Sequence, residues 1–446
     1  MWAINQANAC FKLNSIPIVV PWRQTKVKIV RIKRVEVFIK LLRCSLPAFI
    51  ILLMFTDVQA APGNPVHGTN FFTDTAQIDV VDLVKAIFRR KNRPNIRPVK
   101  LNVNGPFITA IPYPNYSIVT GFAAAAPVNI AFYTNQKQKG ELSSFNNMFQ
   151  YTQYNQIIAF SISNLYFGHD KWQVNGDWRF YKFPTTTYGL GTQTTEADAG
   201  RIDYQHLRVY ETLMRTVAKN IDIGFGYNLD YHWGIKDYRA EEGIVTDFER
   251  YGHTDKSISS GVSLNFLYDS RNNKNSPVKG AYLNVQFRTY SKAFGSSNYW
   301  SSLIIDCRKY VPLPIHWQAG FAFWAYAAIT VSGKPPYLDL PGTGMDTYNN
   351  TGRGYAMGRY RGTHMIYLES EFRVSLMRNG LLGAVVFGNL QTLSNWPSNN
   401  FTSVQPGGGV GLRIKLNKRT NTNSAVDYGF GSGHSRGFAF NLNEVF

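Results

Sequence analysis

Five stretches of this chain, NQIIAFSISNLYF, IDIGFGYNLDYHW, SISSGVSLNFLY, GAYLNVQFRTY and MIYLESEFRVSL, alternate apolar and polar residues over nine or more positions. Successive side chains of a strand point to opposite faces, so a period of two makes a ribbon with one apolar and one polar side. Strands of soluble domains average about five or six residues, whereas a tilted strand crossing a bilayer needs about nine to eleven. About sixteen such segments follow one another, near 105–112, 120–134, 143–152, 155–167, 171–183, 201–216, 220–233, 256–269, 279–291, 297–310, 315–331, 362–376, 380–392, 405–416, 423–431 and 437–446. An open sheet of this size would leave its edges and an apolar face in water, and closure in lipid removes both problems. The pattern predicts an all-β fold, a transmembrane antiparallel β-barrel of about 16 strands over 105–446.

The connections test this independently. Outer-membrane barrels have short periplasmic turns and longer outer loops. If the first strand rises from the periplasm, the odd-to-even connections are the outer ones. They include 184–200, 234–255 and 332–361, the three longest, while even-to-odd connections such as GHD, VAK, VPLP and MRN are short. Composition agrees: 15% aromatic residues, 17% charged residues and 37 glycines in 446, with a mean hydropathy of −0.22. Disordered chains lack the aromatics, and helical membrane proteins have longer apolar runs.

The net charge of +19 loses its force when divided, because residues 1–60 hold nine Lys or Arg against Glu36 and Asp57, leaving +12 for the remainder. No basic-aromatic cluster or nucleic-acid module accompanies it, so no nucleic acid is expected as a partner. The apolar run LPAFIILLMF, Leu46 to Phe55, is too short to span a bilayer as a helix. Val58 and Ala60 follow it in a small-x-small arrangement, which reads as a secretory signal cleaved after Ala60 or Ala61. The length of this leader, residues 1–60, raises the alternative that the start is over-called. Cys10 and Cys44 lie in it, so Cys307 has no intramolecular disulfide partner in the mature chain. Within 61–104, DVVDLVKAIFRRK spaces Val80, Val81, Val84 and Ile87 or Phe88 as a short amphipathic helix, acidic first and basic last. Such a periplasmic segment can lie on an anionic membrane, plug a lumen or dock on a packed face.

TGRGYAMGRYRG, Thr351 to Gly362, concentrates Arg353, Arg359 and Arg361 in the sixth outer loop. Taken alone it reads as solvated charge. Beyond it, Glu369, Glu371 and Arg373 share one parity, opposite Ile366, Leu368, Phe372 and Val374, and therefore face the lumen. A returning Arg353 could grip Glu371 there, since a guanidinium fork matches a carboxylate. At the end of the chain, GFAFNLNEVF places Phe438, Phe440, Leu442 and Phe446 on one face, with Glu444 interrupting it.

Together these residues resemble the bacterial surface antigen family, the BamA/TamA-type outer-membrane assembly barrels, over roughly 105–446. Arg353-Gly354-Tyr355 looks like the family's Arg-Gly-Phe/Tyr loop tip, which folds back into the lumen. YDSRNNKNSPVKGAYL, with Asp269, Arg271, Pro277 and Gly280, resembles its Asp-x-Arg…Pro-x-x-Gly strand turn; YLESEFR and VDYGFGSG are similar to its later strands. The resemblance implies that Phe438, Phe440, Leu442 and Phe446 form a C-terminal assembly signal. It also implies an Asp on the strand after Glu371 that receives the loop arginine; the matching position here holds Asn389, which carries no charge. About forty-five residues between the signal and the first strand are too few for a periplasmic POTRA domain, so a barrel-only member is expected.

The resemblance implies a bacterial outer-membrane protein that assists insertion or translocation of outer-membrane or surface proteins through a seam between its first and last strands. Its expected partners are outer-membrane lipid and client barrels or an envelope complex. The alternative is a passive transport or structural barrel that has kept only the fold. The first strand, GPFITAIPYP, is bounded by Pro106 and Pro112, so the seam should be weak, with pairing near Phe107–Ile111 against Phe438–Leu442. No enzyme activity, metal or cofactor is expected. GHSRG at 433–437 matches a nucleophile elbow but lacks a following helix and triad partners, and GGGVG at 407–411 lacks the Lys-Ser/Thr and helix of a phosphate loop. The small residues of GGGVG are expected to let strands bend or pack closely.

Overall fold

The computed structural model of the chain describes residues 77–80, 82, 106–110, 112–117, 121–134, 141–314, 318–418 and 421–446. Their strands form one antiparallel barrel of sixteen, two of them interrupted. β1 has two halves, Phe107–Ala110 and Tyr113–Ser117, followed by β2 (Gly121–Phe132), β3 (Ser143–Thr152) and β4 (Ile157–Phe167). β5 (Trp172–Lys182) continues as Thr185–Thr187, and then come β6 (Gly200–Ala218), β7 (Ile221–Asp237) and β8 (Lys256–Asp269). β9 (Gly280–Tyr290), β10 (Trp300–Pro312), β11 (Ala319–Gly333) and β12 (His364–Ser375) follow. β13 (Leu382–Leu393), β14 (Gln405–Asn417), β15 (Thr422–Gly431) and β16 (Arg436–Leu442) complete the wall.

Each strand pairs with its sequence neighbour, from Phe107↔Ala131 in β1–β2 to Phe430↔Arg436 in β15–β16, and β16 lies beside β1 to close the ring. The half of β1 that adjoins β16 is Tyr113–Ser117. This corrects the expectation of a strand ending at 112 with its seam at Phe107–Ile111. Pro112 has no N–H and interrupts the ladder, but its fixed φ is compatible with extended backbone, so the strand resumes in the same direction.

The burial pattern is that of a soluble protein turned inside out. Phe122, Phe225 and Leu264 are 68%, 65% and 67% exposed, while Asp230, Glu369, Glu371 and Asp427 on the opposite parity are buried. A water-soluble fold cannot afford this, whereas a barrel in lipid requires it. β6 with 19 residues, β7 with 17 and β11 with 15 exceed what a bilayer needs and carry the wall beyond it at one end. The long connections 188–199, 238–255 and 334–363 gather at that end. Phe183, Leu190, Ile202, Phe248, Tyr251, Tyr337 and Leu340 pack there into an apolar lid.

The opposite, turn-bearing end is also obstructed. The turn between β8 and β9, residues 270–279, is folded on its own side chains: Asn272 Oδ1 accepts from the N–H groups of Val278 and Lys279, and Asn273 Oδ1 from those of Asn275 and Ser276. It reaches across the mouth, with Lys274 Nζ 2.9 Å from Tyr166 Oη on β4 and Pro277 O accepting from Arg373 Nη1 on β12. Arg271 is held by Asp269 at 2.8 Å. At the same end Ile78 N–H donates to Asn379 O, and Lys418 Nζ lies 2.7 Å from Asp82 Oδ2. Val80 and Asp82 are helical, with Asp79 Oδ1 accepting from Asp82 N–H. The rest of the expected amphipathic helix and the 1–60 leader lie outside the described residues.

Candidate functional site

The sixth loop, 334–363, does not stay outside. It begins with a 3-10 turn, Tyr337–Asp339, then descends along the lumenal face of β12 to β15. Its three arginines are all buried, and each has a different task. Arg361 Nη1 donates to the carbonyls of Tyr337, Leu338 and Leu340, tying the end of the loop to its beginning. Arg359 donates to Thr194 O at 2.8 Å and lies 3.3 Å from Glu196, joining the loop to the connection before β6.

Arg353 reaches the wall. Its Nη1 donates to Asp427 Oδ2 on β15 at 2.8 Å, and its Nη2 donates to both Glu369 and Glu371 on β12. The guanidinium carbon sits 3.7 Å from the centre of the Phe387 ring on β13, where cation and π-face attract. Burial works against the charge on Arg353, but Glu369, Glu371 and Asp427 hold the guanidinium well above its ordinary basicity. Two further arginines extend the network: Arg373 Nε lies 2.6 Å from Glu371 Oε2, and Arg413 Nη1 lies 2.6 Å from Asp427 Oδ1. Tyr367 Oη donates to Glu369. The pair Arg353–Glu371 thus exists within a larger array.

Asn389 also meets the loop, as a donor to its backbone. Its Nδ2 donates to the Arg353 carbonyl at 3.0 Å, so it holds the backbone of the tip. The carboxylate that the sequence lacked at 389 comes instead from Asp427, two strands on. Gly354 has φ +101, a conformation open to glycine and few others. A side chain there would come within 2.7 Å of Phe430 O, and one at Gly429 within 2.7 Å of Gly354 N. The tip therefore lies backbone to backbone on β15. Tyr355 Oη donates to Pro406 O and receives the Ser432 N–H at 2.8 Å, with its ring over Gly431. Gly411 leaves the space that Asp427 Oδ1 fills.

The end of the chain departs from the expected alternation. Phe438 and Phe440 face outward, 50% and 43% exposed, and Leu442 closes the ladder opposite Ser424. Phe446 does not continue that face; it is buried in the lumen. Asn443 adopts a left-handed φ of +73, which Asn tolerates better than most residues, and the strand ends there. Glu444, which interrupts the apolar face in the sequence, turns inward to Arg413 Nε at 2.7 Å. Phe446 then packs 5.1 Å from the Trp324 ring.

Alternation alone identifies Glu369, Glu371 and Arg373 as lumenal. Asp427, Arg413 and Glu444 are the participants that sequence reasoning missed. Asp427 had a signal, since its parity with Ala425 and Gly429 places a lone carboxylate on a lumenal row of small residues. Ser435 of GHSRG donates its hydroxyl to Gly354 O at 2.8 Å, as a further clamp on the loop tip. No group of His, Cys, Asp and Glu among the described residues could hold a metal ion.

Comparisons with known proteins agree with this architecture. A fold likeness links the chain to CdiB from Acinetobacter baumannii, at 12% identity and a TM-score of 0.50, covering 76% of this chain and 59% of that one. The chain is also similar to BamA from Haemophilus ducreyi lacking POTRA domains 1–3, at 14% identity and a TM-score of 0.49, covering 76% and 70%. At 12% identity the CdiB likeness concerns the fold alone. No curated protein matches the sequence. The model of the Omp85 superfamily domain matches residues 135–444, a span that holds β3 to β16, the arginine loop and every carboxylate it touches, and the chain accordingly belongs to the Omp85 superfamily.

Proposed function

We propose that this protein inserts or translocates outer-membrane or surface proteins by parting β1 from β16 in the bacterial outer membrane. The observation that carries the reading is the broken first strand: among the described residues Tyr113–Ser117 adjoins β16, whereas β6 and β7 pair from Ile202↔Asp237 to Ala218↔Ile221. A short pairing interrupted by proline is the cheapest place to open the wall, and opening exposes unpaired N–H and C=O groups to which an incoming strand can add. The alternative, passive conduction through the lumen, is disfavoured by what fills the lumen: the apolar lid, loop six, residues 443–446 and the turn at 270–279. In this reading the long connections face outward, the short turns face the periplasm, and the chain performs no covalent chemistry.

The reading is tested with the purified barrel in liposomes, by following the folding of an added outer-membrane barrel through its heat-modifiable gel mobility. Faster folding than in empty liposomes is expected. If the client folds no faster while the liposomes become leaky to small ions, the passive reading replaces this one.

A further inference from the structure

Residues 443–446 contact several elements at once. Asn443 N–H donates to Asn423 O, and Glu444 N–H donates to Asn275 O in the turn that crosses the mouth. Glu444 accepts from Arg413 Nε at 2.7 Å and from Asn423 Nδ2 at 2.9 Å. Val445 O accepts from Asn350 Nδ2 of loop six at 2.7 Å, and Phe446 O from Arg373 Nη2 at 2.9 Å. The Phe446 ring fills a site between Trp324, Tyr310 and the Arg373 guanidinium. Four residues therefore touch the seam strand, loop six, the arginine network and the opposite wall.

We infer that Asn443–Phe446 is an internal strap that couples the seam strand β16 to loop six. The geometry forces the coupling. β16 ends at Leu442, so the strand cannot swing outward without drawing Val445 and Phe446 from the lumen. Their withdrawal removes an acceptor from Asn350 and another from Arg373. Arg373 shares Glu371 with Arg353, and Arg413 shares Asp427 with Arg353, so both arginines that hold the strap also hold partners of the loop tip. Two elements that bind one segment reinforce each other, and loosening either must loosen the other by the same factor. The regulatory meaning, a lumenal contact that keeps the seam shut until loop six yields, rests on the lateral-opening reading; the coupling itself belongs to the closed barrel.

Hydrogen–deuterium exchange on the full chain, folded in lipid nanodiscs, tests the strap. Useful amides in loop six are those of Asn350 and Thr351, which donate to Asp346 Oδ1 at 2.9 and 2.7 Å. Phe446→Ala should speed exchange by about tenfold both there and in β16, within the usual range of coupling between sites. Asn350→Ala, which acts from the loop side, should speed exchange in β16. Leu264→Ala, on the lipid face of β8 and away from the seam, should change exchange in neither. Unchanged exchange of loop six in Phe446→Ala, or of β16 in Asn350→Ala, overturns the strap. If Phe446→Ala does not reach the heat-modifiable folded form, Asn350→Ala decides the matter alone. A failed strap leaves lateral opening standing, and a failed seam experiment leaves the strap standing.

Discussion

Arg353 is a buried cation with three carboxylates, so its loss is felt through what it leaves behind. Arg353→Ala leaves Glu369 with only the Tyr367 hydroxyl and takes one cation each from Glu371 and Asp427, which keep Arg373 and Arg413, in a site where each carboxylate is at most 4% exposed; breaking such an array by removing one partner costs about 3–5 kcal/mol. Glu371→Ala should cost a similar amount, because it takes a partner from Arg353 and Arg373 together. The double variant should fall short of the sum by about 1–3 kcal/mol, as for any pair within one network. Arg353→Lys should recover only part of the loss, since a point charge cannot span β12 and β15 as the planar fork does. Denaturant unfolding of the four proteins in detergent checks this; additive losses would make the arginine an independent charge. Asp339, in the 3-10 turn of loop six, gives a separate pH signature. Burial, with Asp230 nearby, pushes its carboxyl up to about 8, while Ser259 Oγ donates to it at 2.5 Å and His232 Nδ1 lies 3.5 Å away. A carboxyl raised in the folded state binds its proton more tightly there than in the unfolded chain. Its contribution to stability therefore falls as pH rises from the ordinary carboxylate range to about 8 and is level above that. Asp339→Asn should remove this part of the pH dependence and raise the midpoint of thermal unfolding above the window while leaving it unchanged below. A variant with the wild-type slope would refute the assignment.

Strands and loops differed in how much the sequence disclosed. Period-two alternation located all sixteen strands because lipid on one side and water on the other impose it at every position. The parity of Glu369 and Glu371 followed from the same rule. Long-range geometry was less visible. Proline at 112 signalled a break but not that extended backbone would resume at Tyr113. The alternating Phe438, Phe440 and Leu442 gave no warning of the left-handed Asn443, after which parity no longer says where Phe446 goes. Position 389 alone does not disclose the missing charge, because Asp427 reaches the same guanidinium from another strand. Orientation is a property of these elements and is directly testable. In a Cys307→Ser background, single cysteines placed in 192–198 or 242–246 should react with an impermeant thiol reagent on intact cells. A cysteine at His169, in the short turn between β4 and β5, should react only after the outer membrane is permeabilised. The reverse pattern would invert the proposed orientation of the barrel.

At the scale of the whole molecule, the first strand is broken beside the place where the wall closes, and the lumen is occupied from both ends. Loop six descends from the lid and is clamped by Arg353, Tyr355, Asn389 and Ser435. From the other end the 270–279 turn and Phe446 rise to meet it. The proposed function has a client use the wall, between Tyr113–Ser117 and β16. The most direct measurement is a covalent lock on that seam. With Cys307→Ser as background, cysteine pairs scanned across Tyr113–Ser117 and Phe438–Leu442 should include one whose Cα separation of about 4.4–6.8 Å permits a disulfide. Lateral opening predicts that the oxidised pair folds normally, stops client insertion and regains it on reduction. A seam disulfide verified by mass spectrometry that leaves client insertion at the wild-type rate would contradict it.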